Sequence, residues 1–405
     1  MPKSGGAAIL MQHGFPELQY VIGNEETVER MPFLRSLQPF SEEVLSFLNA
    51  LSAILMHIRD YPDVATFGFW CRKAALLQEK AKYDDLQERL GKGIVFHSTP
   101  SNVPVNFAFS FASGLLAGNA NIVRLPGKPF EQVNIICKAI LELLAGKYSE
   151  LSPYVCFVRF PPNKDVTDYF SSLCQIRVVW GGDLTVGELR QSPIQARTTE
   201  ITFADRHSIA VINADAYLAA EEKERIIQNF YNDTYYTDQN ACTSPRIVFW
   251  QGVEKTKAKE DFWNRVYALV KEKYHLTPVQ AVGKLDALYH VAALKDVRKT
   301  ESQDMLITRV RVDELDTDLM DFKYNSGFFF EKDIEDIAEI DAVCDIRCQT
   351  MIYYGVDPAE IRKFLMTTRP HGIDRAVPLG KSMDFSLIWD GCDLIRQMSR
   401  RIIVI

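Results

Sequence analysis

The stretch GIVFHSTPSNVPVNFAFSFASGLLAGNANIVRL, residues 93–125, carries the pattern that decides the fold. It opens with the apolar run GIVFHS (93–98) and closes with NIVRL (121–125), and both runs are typical of short strands. Residues 104–117 between them are predicted to form a helix. Since neither run alternates apolar with polar residues, both strands are expected to be covered on both faces. The stretch therefore predicts a parallel strand–helix–strand unit.

The same alternation continues along the chain. The further elements are predicted, in order, as a helix at 129–146, a strand at 154–160, a helix at 165–174, a strand at 176–180 and a helix at 184–190. Strands that alternate with helices predict a parallel sheet with helices on both faces. Such sheets bind nucleotides at the carboxyl ends of their strands. The first half of the chain is therefore expected to hold a nucleotide.

A chain of 405 residues is long enough for two or three domains. The expected division is a dinucleotide-binding domain with an N-terminal helical region at 1–204, a catalytic domain at 205–385 and a C-terminal tail at 386–405. The tail ends in RRIIVI (400–405), a strand-like run that can pair with another element or with a second subunit. We therefore expect an α/β protein with a Rossmann-type cofactor domain and an α/β catalytic domain, which can form a homo-oligomer.

Composition excludes several classes of protein. The chain is 47% hydrophobic and 24% charged, which is typical of globular proteins. Its net charge of -7 leaves no basic excess for phosphates, so a nucleic-acid partner is not expected. The eight cysteines are scattered along a long chain, which favours reduced thiols over a disulfide scaffold. Cys344 and Cys348 form a CxxxC without a second pair or a nearby histidine, so no metal is expected.

Two apolar regions bear on localisation. The N-terminal MPKSGGAAILMQHGFPEL (1–18) lacks the apolar core of a signal peptide, so we expect a cytoplasmic protein. The run from Ile94 to Val123 has no formal charge, but it contains prolines, asparagines and glycines. Asparagine amides are costly in lipid, so this run is not expected to span a membrane.

The stretch YTDQNACTSPRIVFW (236–250) raises the question of what Cys242 does. Its polar first part predicts a turn-rich loop, and residues 246–250 predict a buried strand. A cysteine at such a junction can react as a thiolate, whereas a cysteine that fills a core is inert. His207, the nearest histidine along the chain, is a candidate base, with an ordinary surface-turn histidine as the alternative. This stretch alone leaves both questions open.

A loop with an amide follows the first predicted strand. In HSTPSNVP (97–104), the Asn102 amide and the start of the following helix can hold an anion or a developing oxyanion. The alternative is a prolyl turn in which Ser101 or Asn102 only caps that helix.

A second loop, WGGDLTVG (180–187), has two glycines between a strand and a helix. Gly181 and Gly182 let the backbone approach a ligand closely, and the start of a helix favours a pyrophosphate. The loop is not a complete dinucleotide motif. Asp183 is predicted to be the N-cap of the helix.

Together these loops resemble the aldehyde dehydrogenase superfamily and, more closely, the acyl-CoA reductase family of the bacterial bioluminescence fatty acid reductase. The matching segments are TPSNVPVNFAFSFASGLLAGNANIVRLPGKP (99–129), WGGDLTVGEL (180–189), DQNACTSPR (238–246) and HGIDRAVPLGKSMDFSLIWDGCDLI (371–395). They occur in family order. The resemblance implies an aldehyde dehydrogenase-like fold.

By motif position, the resemblance also assigns roles. It makes Cys242 the nucleophile and Asn102 the oxyanion-binding amide. It places Gly182, Asp183 and Gly187 in the loop beside the pyrophosphate, and it makes Arg124 a basic residue near the adenosine ribose. The superfamily's hydrolytic glutamate is absent from the equivalent ITFADRHS (201–208), with Glu200 just outside it. Without that base a thioacyl-enzyme persists, which favours reduction over hydrolysis.

The resemblance implies NADPH-dependent reduction of an acyl thioester, bound to CoA or to a carrier, to an aldehyde through S-acyl-Cys242. His207 is a candidate for proton transfer. Arg124 and Lys128 suit a 2′-phosphate, although the sequence leaves NADH open. An acyl-activating synthetase is an implied partner. The alternatives are a cysteine thioesterase or acyltransferase, and a non-catalytic nucleotide-binding subunit.

Overall fold

The computed structural model describes residues 14–301 and 304–405. The chain divides into two units: unit 1 contains the chain up to Ala204 together with Cys392–Ile405, and unit 2 contains Asp205–Gly391. The predicted tail at 386–405 is therefore divided, because its first six residues belong to unit 2 and the rest to unit 1. Most of the segment considered as a signal peptide, residues 1–13, lies outside the described residues.

The first seven strands belong to unit 1. They are β1 (Gln19–Ile22), β2 (Arg89–Gly91), β3 (Ile94–Ser98), β4 (Ala120–Arg124), β5 (Val155–Arg159), β6 (Ile176–Trp180) and β7 (Thr199–Phe203). The helices of the same part of the chain are α1 (Glu25–Arg30), α2 (Glu42–Leu55), α3 (Pro62–Trp70), α4 (Lys73–Lys80), α5 (Asn106–Leu116), α6 (Glu131–Ala145), α7 (Lys164–Leu173) and α8 (Asp183–Leu189). The predicted strand–helix alternation from residue 93 onward is confirmed.

The main sheet of unit 1 has the order β1-β5-β4-β3-β6-β7 among the described strands. All of its neighbouring strands are parallel except β1 and β5. From β3 the chain moves outward to β4 and β5, and it then returns to place β6 on the other side of β3. The direction of winding therefore reverses between β3 and β6, and such a reversal opens a crevice at the carboxyl ends of the strands.

A buried polar group fixes the strands beside this crevice. The ring of His97 in β3 hydrogen-bonds through Nδ1 to Ser110 Oγ at 2.7 Å and through Nε2 to Asn121 Oδ1 at 3.0 Å. The Trp180 indole at the end of β6 donates to the same Ser110 oxygen at 2.9 Å. Burial lowers the pKa of His97 to about 4, so its ring is neutral and its bonds tie β3, β4, β6 and α5 together.

Unit 2 contains a second sheet. Its strands are β8 (His207–Asn213), β9 (Pro245–Gln251), β10 (Val297–Glu301), β11 (Thr308–Val312), β12 (Phe328–Asp333), β13 (Cys348–Tyr354) and β14 (Arg375–Pro378), and the short β15 (Ile388–Trp389) follows. Its helices are α9 (Ala214–Ala219), α10 (Lys223–Asp233), α11 (Lys255–Lys273), α12 (Pro278–Leu294) and α13 (Pro358–Thr368). The sheet order is β10-β11-β12-β9-β8-β13-β14, and only β10 and β11 are antiparallel within the described register.

The segment after residue 391 packs on unit 1. It forms β16 (Cys392–Asp393), α14 (Leu394–Met398) and β17 (Ser399–Arg401). β17 pairs antiparallel with β2, and Leu394, Ile395 and Met398 of α14 are buried. The strand-like end of the sequence therefore pairs within the chain at residues 399–401.

The uncharged run from Ile94 to Val123 forms β3, α5 and β4. Across the described ranges, none of the helices combines the length and the apolar character that crossing a membrane requires.

Candidate active site

Cys242 lies in the Cys242 loop, residues 238–244, which leads into β9. The loop begins with Asp238 and Gln239 in the left-handed backbone region, at φ +52° and +57°. Residues other than glycine adopt this conformation at a cost, so the surrounding structure must enforce it.

Gln239 enforces it from inside the fold. Its buried side-chain amide donates to the carbonyls of Pro245 at 3.0 Å and Phe328 at 3.1 Å. Its amide oxygen accepts from the backbone N–H groups of Gly327 at 2.9 Å and Phe328 at 3.2 Å. One side chain therefore joins the loop to the starts of both β9 and β12.

The loop is also held from α12 and from Tyr274, the residue that follows α11. The Asp238 carboxylate accepts hydrogen bonds from the Tyr274 hydroxyl and, at 2.8 Å, from Gln280 Nε2. Farther along the helix, the fully buried Lys284 ammonium donates to the Ser326 carbonyl at 2.8 Å and the Gly327 carbonyl at 3.2 Å. Burial lowers the pKa of Lys284 to about 7.

The backbone of Cys242 itself has a fixed partner. Its carbonyl accepts from the Ser208 hydroxyl at 2.7 Å, and the same hydroxyl accepts from the Thr350 N–H at 3.3 Å. Ser208 in β8 and Thr350 in β13 are cross-strand partners. The position of Cys242 is therefore set by two strands of the sheet.

The thiol of Cys242 is neutral near pH 7. Burial raises its pKa to about 11, with a further rise from the negative charge of Asp390. The Gln349 side chain and the backbone N–H groups of Cys242 and Thr243 act in the opposite direction. Although the sulfur is surrounded by these groups, the residue is partly exposed, whereas six of the other cysteines are buried. Cys242 is therefore not a core filler, but its thiol must lose a proton before it can react.

His207 has a different environment from the one predicted. It is the first residue of β8 and is only 1% exposed, so the surface-turn alternative is wrong. Its cross-strand partner is Cys348, and the hydrogen bond of Cys344, together with His207, lowers the pKa of the Cys348 thiol to about 6. Among the described residues, neither ring nitrogen has a hydrogen bond of ordinary geometry. The structure therefore places His207 beside the Cys344–Cys348 pair, and the groups that act on the Cys242 thiol are others.

In unit 1, Asn102 lies in the loop between β3 and α5, beside the crevice. The residue is exposed, and α5 begins only at Asn106, with Val105 as its N-cap. The alternative in which Ser101 or Asn102 caps the helix is therefore wrong. Within the described part of the chain, no hydrogen bond occupies the Asn102 amide.

The glycine loop, residues 181–187, lies on the other side of the crevice and opens α8. Its N-cap is Gly182, which is extended at φ -64° and ψ 168°, and Asp183 is the first helical residue. The prediction that Asp183 is the N-cap is therefore wrong by one position. A Cβ on Gly187 would meet no atom within 4 Å, so the protein's own packing does not require a glycine there. Since glycine disfavours a helix interior, its presence fits a close approach by a ligand.

Arg124 ends β4, next to Ser98 at the end of β3. Its Nη2 donates to the Phe160 carbonyl at 3.2 Å, and the guanidinium lies 4.5 Å from the centre of the Phe160 ring. In the described ranges it has no carboxylate partner. Arg124 is therefore a cation without a carboxylate beside the crevice, and Lys128 nearby is exposed.

Glu200 lies just before residues 201–208, the stretch that lacks the hydrolytic glutamate. Its carboxylate is already held in ion pairs. It pairs with Arg177, whose Nε lies at 2.8 Å, and with Arg190 at 2.8 Å. Burial raises its pKa, but the hydrogen bonds from Arg190 and Arg177 outweigh burial and lower it overall. Glu200 is therefore an ion-pair residue of unit 1.

Sequence reasoning missed two residues that act on Cys242. Gln349 is buried in β13 and donates to the carboxylate of Asp390, which lies in the turn after β15. A polar residue within the apolar run CQTMIYY (348–354) and an aspartate before Gly391 were the available signals. Among the described residues, no three His, Cys, Asp or Glu side chains are grouped as metal ligands would be.

Solved structures of similar fold include aldehyde dehydrogenases. A NAD-dependent benzaldehyde dehydrogenase from Corynebacterium glutamicum matches with a TM-score of 0.62 and 13% identity, over 93% of this chain and 88% of that one. Lactaldehyde dehydrogenase from Escherichia coli matches with a TM-score of 0.62 and 12% identity, over 94% and 91%. An oxidoreductase from Marinobacter aquaeolei matches with a TM-score of 0.65 and 12% identity, over 92% and 88%. The aldehyde dehydrogenase-like fold predicted from the sequence is thus confirmed.

No curated protein matches the chain. The profile of the family described as acyl-CoA reductase (LuxC) matches residues 34–401. This family forms aldehydes, and the family and the fold together imply a nicotinamide cofactor. The chain therefore belongs to the LuxC family of acyl-CoA reductases and is an aldehyde-forming oxidoreductase.

Proposed function

We propose that the protein reduces an acyl thioester to an aldehyde with NADPH, through an S-acyl intermediate on Cys242. The observation that carries this proposal is the Cys242 loop. Cys242 is partly exposed, while Gln239 and Ser208 fix the backbone on either side of it. A positioned but accessible cysteine suits covalent catalysis.

The first displacement depends on removal of the thiol proton. The Cys242 thiolate attacks the acyl carbon, and the thiol of CoA or of a carrier leaves. Asn102 is the proposed donor to the acyl oxygen by its motif position, and its amide has no partner within the described residues. Such a donor typically contributes about 2.7–4 kcal/mol to lowering the barrier.

The absence of a hydrolytic base supports reduction as the fate of the acyl-enzyme. Residues 201–208 contain no glutamate, and Glu200 is held by Arg177 and Arg190. When bound, NADPH supplies the hydride that the acyl carbon needs. The resulting thiohemiacetal collapses, which releases the aldehyde and the Cys242 thiolate.

Cofactor binding is assigned to the loops beside the crevice of unit 1. Gly181, Gly182 and Gly187 allow close approach of the pyrophosphate, with Asp183 in the same loop, and the unpaired Arg124 favours a 2′-phosphate. We expect Arg124→Gln to raise the KM for NADPH several-fold while changing that for NADH little. Steady-state kinetics with both cofactors measure this. An equal rise in KM for NADPH and NADH would contradict the assignment of Arg124 to the 2′-phosphate.

The acyl donor is proposed to be an acyl-CoA or a carrier-bound acyl group, delivered with an acyl-activating synthetase as partner. The exposed apolar residues Ile403, Val404 and Ile405 support self-association as well. Light scattering of the chain with and without residues 400–405 tests the oligomer, since an unchanged mass would contradict it.

Intact mass spectrometry tests the whole proposal. The protein is mixed with a panel of acyl-CoA thioesters without NADPH, and NADPH is then added. We expect an acyl adduct that is discharged as aldehyde. The adduct should be absent from Cys242→Ala and retained in Cys392→Ala, a matched control because Cys392 is the other partly exposed cysteine.

Other outcomes favour the alternatives. Decay of the adduct to free acid without NADPH would indicate a thioesterase or acyltransferase. Cofactor binding without turnover of any thioester would indicate a non-catalytic nucleotide-binding subunit. Separately, His207→Gln tests the predicted role of His207 in proton transfer, since an unchanged pH profile of turnover would contradict it.

A further inference from the structure

We propose that the backbone carbonyls of residues 305–306 and 326–327 form a monovalent-cation site, that the chain fills this site with its own Lys284 ammonium, and that Lys284 is thereby a positioning residue for Cys242. The four carbonyl oxygens are called the carbonyl cage. The class of ligand that the cage accepts is a primary ammonium or a cation of similar size, such as K⁺. The inference rests on the proposed function, since it treats Cys242 as the nucleophile.

The Lys284 ammonium is surrounded by backbone oxygens. Its Nζ lies 2.5 Å from the carbonyl oxygen of Met305, 3.3 Å from that of Leu306, 2.8 Å from that of Ser326 and 3.2 Å from that of Gly327. Lys284 is fully buried, and within the described ranges none of its hydrogen bonds goes to a carboxylate. An ammonium has three N–H groups, so four carbonyls exceed what its hydrogen bonds require. Carbonyl oxygens in place of a hydration shell are also how proteins hold K⁺.

The backbone of both turns is bent so that their carbonyls converge. Met305 has φ +57°, Ser326 has φ +60° and Gly327 has φ +80°. Met305 and Ser326 adopt this left-handed conformation at a cost, so the surrounding structure must enforce it. A Cβ on Gly327 would lie 2.5 Å from the Leu306 oxygen and 2.3 Å from the Tyr235 hydroxyl oxygen, so the two turns touch at this glycine. Converging oxygens repel one another, and a positive charge between them offsets the repulsion.

The sequence of α12 brings the ammonium to this point. Its residues PVQAVGKLDALYHVAAL (278–294) include only one other formally charged side chain, that of Asp286. A Cβ on Gly283 would come within 1.8 Å of the Tyr324 hydroxyl oxygen, so a glycine beside Lys284 lets the helix approach the second turn closely. Lysine is almost never fully buried unless it is paired. The cage supplies the pairing that a carboxylate usually provides.

The second turn of the cage is bonded to the Cys242 loop. The Ser326 N–H donates to the Asp238 carbonyl at 3.3 Å, and the Gly327 N–H donates to Gln239 Oε1 at 2.9 Å. Each of these two turn residues therefore bonds Lys284 through its carbonyl and the Cys242 loop through its N–H. Loss of the ammonium leaves the turn free on one side and lets the loop shift. A misplacement of about 1 Å can lower a rate about 10²-fold, so Lys284 acts on the reaction through position alone.

Distances and charge select a monovalent occupant. The Nζ–oxygen distances in the cage run from 2.5 to 3.3 Å. Oxygen ligands lie at about 2.3–2.6 Å from Ca²⁺ and about 2.0–2.1 Å from Mg²⁺, and carboxylates usually supply some of them. The cage consists of neutral carbonyls at longer distances, so it suits one positive charge better than two.

Chemical rescue tests the site. Lys284→Ala removes a propylammonium group, so propylammonium chloride is the probe. Aldehyde formation and thermal denaturation of the full chain are measured at about pH 6, below the pKa of about 7 that burial gives Lys284, so that the wild type holds the ammonium. We expect turnover of Lys284→Ala to fall at least about tenfold, because the Cys242 loop is no longer held from the cage.

Addition of about 50 mM propylammonium should restore at least about half of the lost turnover and raise the melting temperature of Lys284→Ala, because a ligand that binds only the folded state stabilises it. KCl should act in the same direction but more weakly, because K⁺ does not fill the space of the lysine stem. The wild type should respond to neither salt beyond the effect of equal NaCl.

Two controls separate the charge from the filled space. Propanol has nearly the shape of propylammonium without its charge, and it should not rescue Lys284→Ala. Lys284→Met is the matched variant, since it fills the space of the lysine stem without a cation, and it should lose turnover and respond to neither compound. Equal responses to propanol and propylammonium, or equal responses of the two variants, would overturn the inference.

The remaining outcomes also decide. If Lys284→Ala does not fold alone, its refolding yield with and without propylammonium replaces the melting temperature, and equal yields would overturn the cation site. A higher melting temperature without recovery of turnover would contradict the positioning of Cys242. If the wild type forms no aldehyde but propylammonium still stabilises Lys284→Ala alone, the cation site stands and the proposed reaction fails.

Discussion

The Cys242 loop of unit 2 and the crevice loops of unit 1 differ in how far the chain satisfies their polar groups. Around Cys242, the side chains of Gln239, Asp238 and Ser208 all have partners inside the protein. In unit 1, the Asn102 amide has none among the described residues, and Gly187 borders open space. Cys242 is thus positioned by the protein alone, whereas the crevice loops keep groups available for ligands. Substitutions in the first region should cost stability, and substitutions in the second should cost activity.

The largest expected effect lies in unit 1. Asn102→Ala should lower kcat about 10²–10³-fold, because the acyl oxygen loses a donor as its negative charge develops. The free energy of unfolding should not change, since Asn102 is exposed and caps no helix. Turnover assays and urea denaturation of the same samples measure the two quantities. A stability loss that parallels the activity loss would place Asn102 among structural residues.

Gln239→Leu should have the reverse pattern. It leaves four backbone groups of Pro245, Gly327 and Phe328 without their partner, so we expect the free energy of unfolding to fall by about 3 kcal/mol. Chemical denaturation measures this, with the exposed neighbour Asn240→Ala as the control. A loss no greater than that of the control would mean that the loop keeps its shape without the amide.

The pH dependence of the stability that Lys284 contributes is a further test of this comparison. Its pKa is lowered to about 7 in the folded protein, so between pH 7 and its ordinary value of 10.5 the unfolded chain binds more protons. Stability contributed by this group therefore rises with pH across that window, by at most about 1.4 kcal/mol per pH unit. The wild type should gain stability more steeply than Lys284→Met between pH 7 and 9 in urea denaturation. Parallel slopes would show that the carbonyls around Lys284, those of Met305, Leu306, Ser326 and Gly327, keep it charged.

The smallest expected effect is at Gly187, where the two properties should move in opposite directions. Gly187→Ala should raise stability by about 0.5–1 kcal/mol, because alanine favours a helix interior and the added Cβ meets no atom. The same change should raise the Kd for NADPH several-fold. Thermal denaturation and fluorescence titration measure the two, with Gly146→Ala at the end of α6 as the control. An unchanged affinity for NADPH would contradict the proposed role of Gly187 in cofactor binding.

Sequence patterns predicted the parallel alternation of unit 1 and singled out Cys242 as a candidate because both depend on local information. The runs at 93–98 and 121–125 are apolar over consecutive residues, and Cys242 lies in a recognisable motif. Exact helix starts were less predictable: α5 begins at Asn106 and α8 is capped by Gly182. Both ends lack side-chain caps, so no capping residue marks them in the sequence.

The residues around the Cys242 thiol could not be predicted in this way. Gln349 and Asp390 are separated from Cys242 by more than a hundred residues, and only the register of β13 against β8 brings them together. An isolated glutamine in an apolar strand has no local pattern that identifies its partner. His207 shows the converse, because proximity in sequence suggested a role near Cys242 while the strand register placed it opposite Cys348.

The pairing of β17 with β2 has a consequence for the order of assembly during translation. Unit 2 is continuous from Asp205 to Gly391, so all of its strands have been synthesised before α14 and β17 are made. β2 remains without its partner through that period, and the site that α14 covers stays open. Domains usually fold in the order in which they are synthesised. In this protein the later unit can complete its sheet first, and the earlier unit closes only when the ribosome has added residues 394–401.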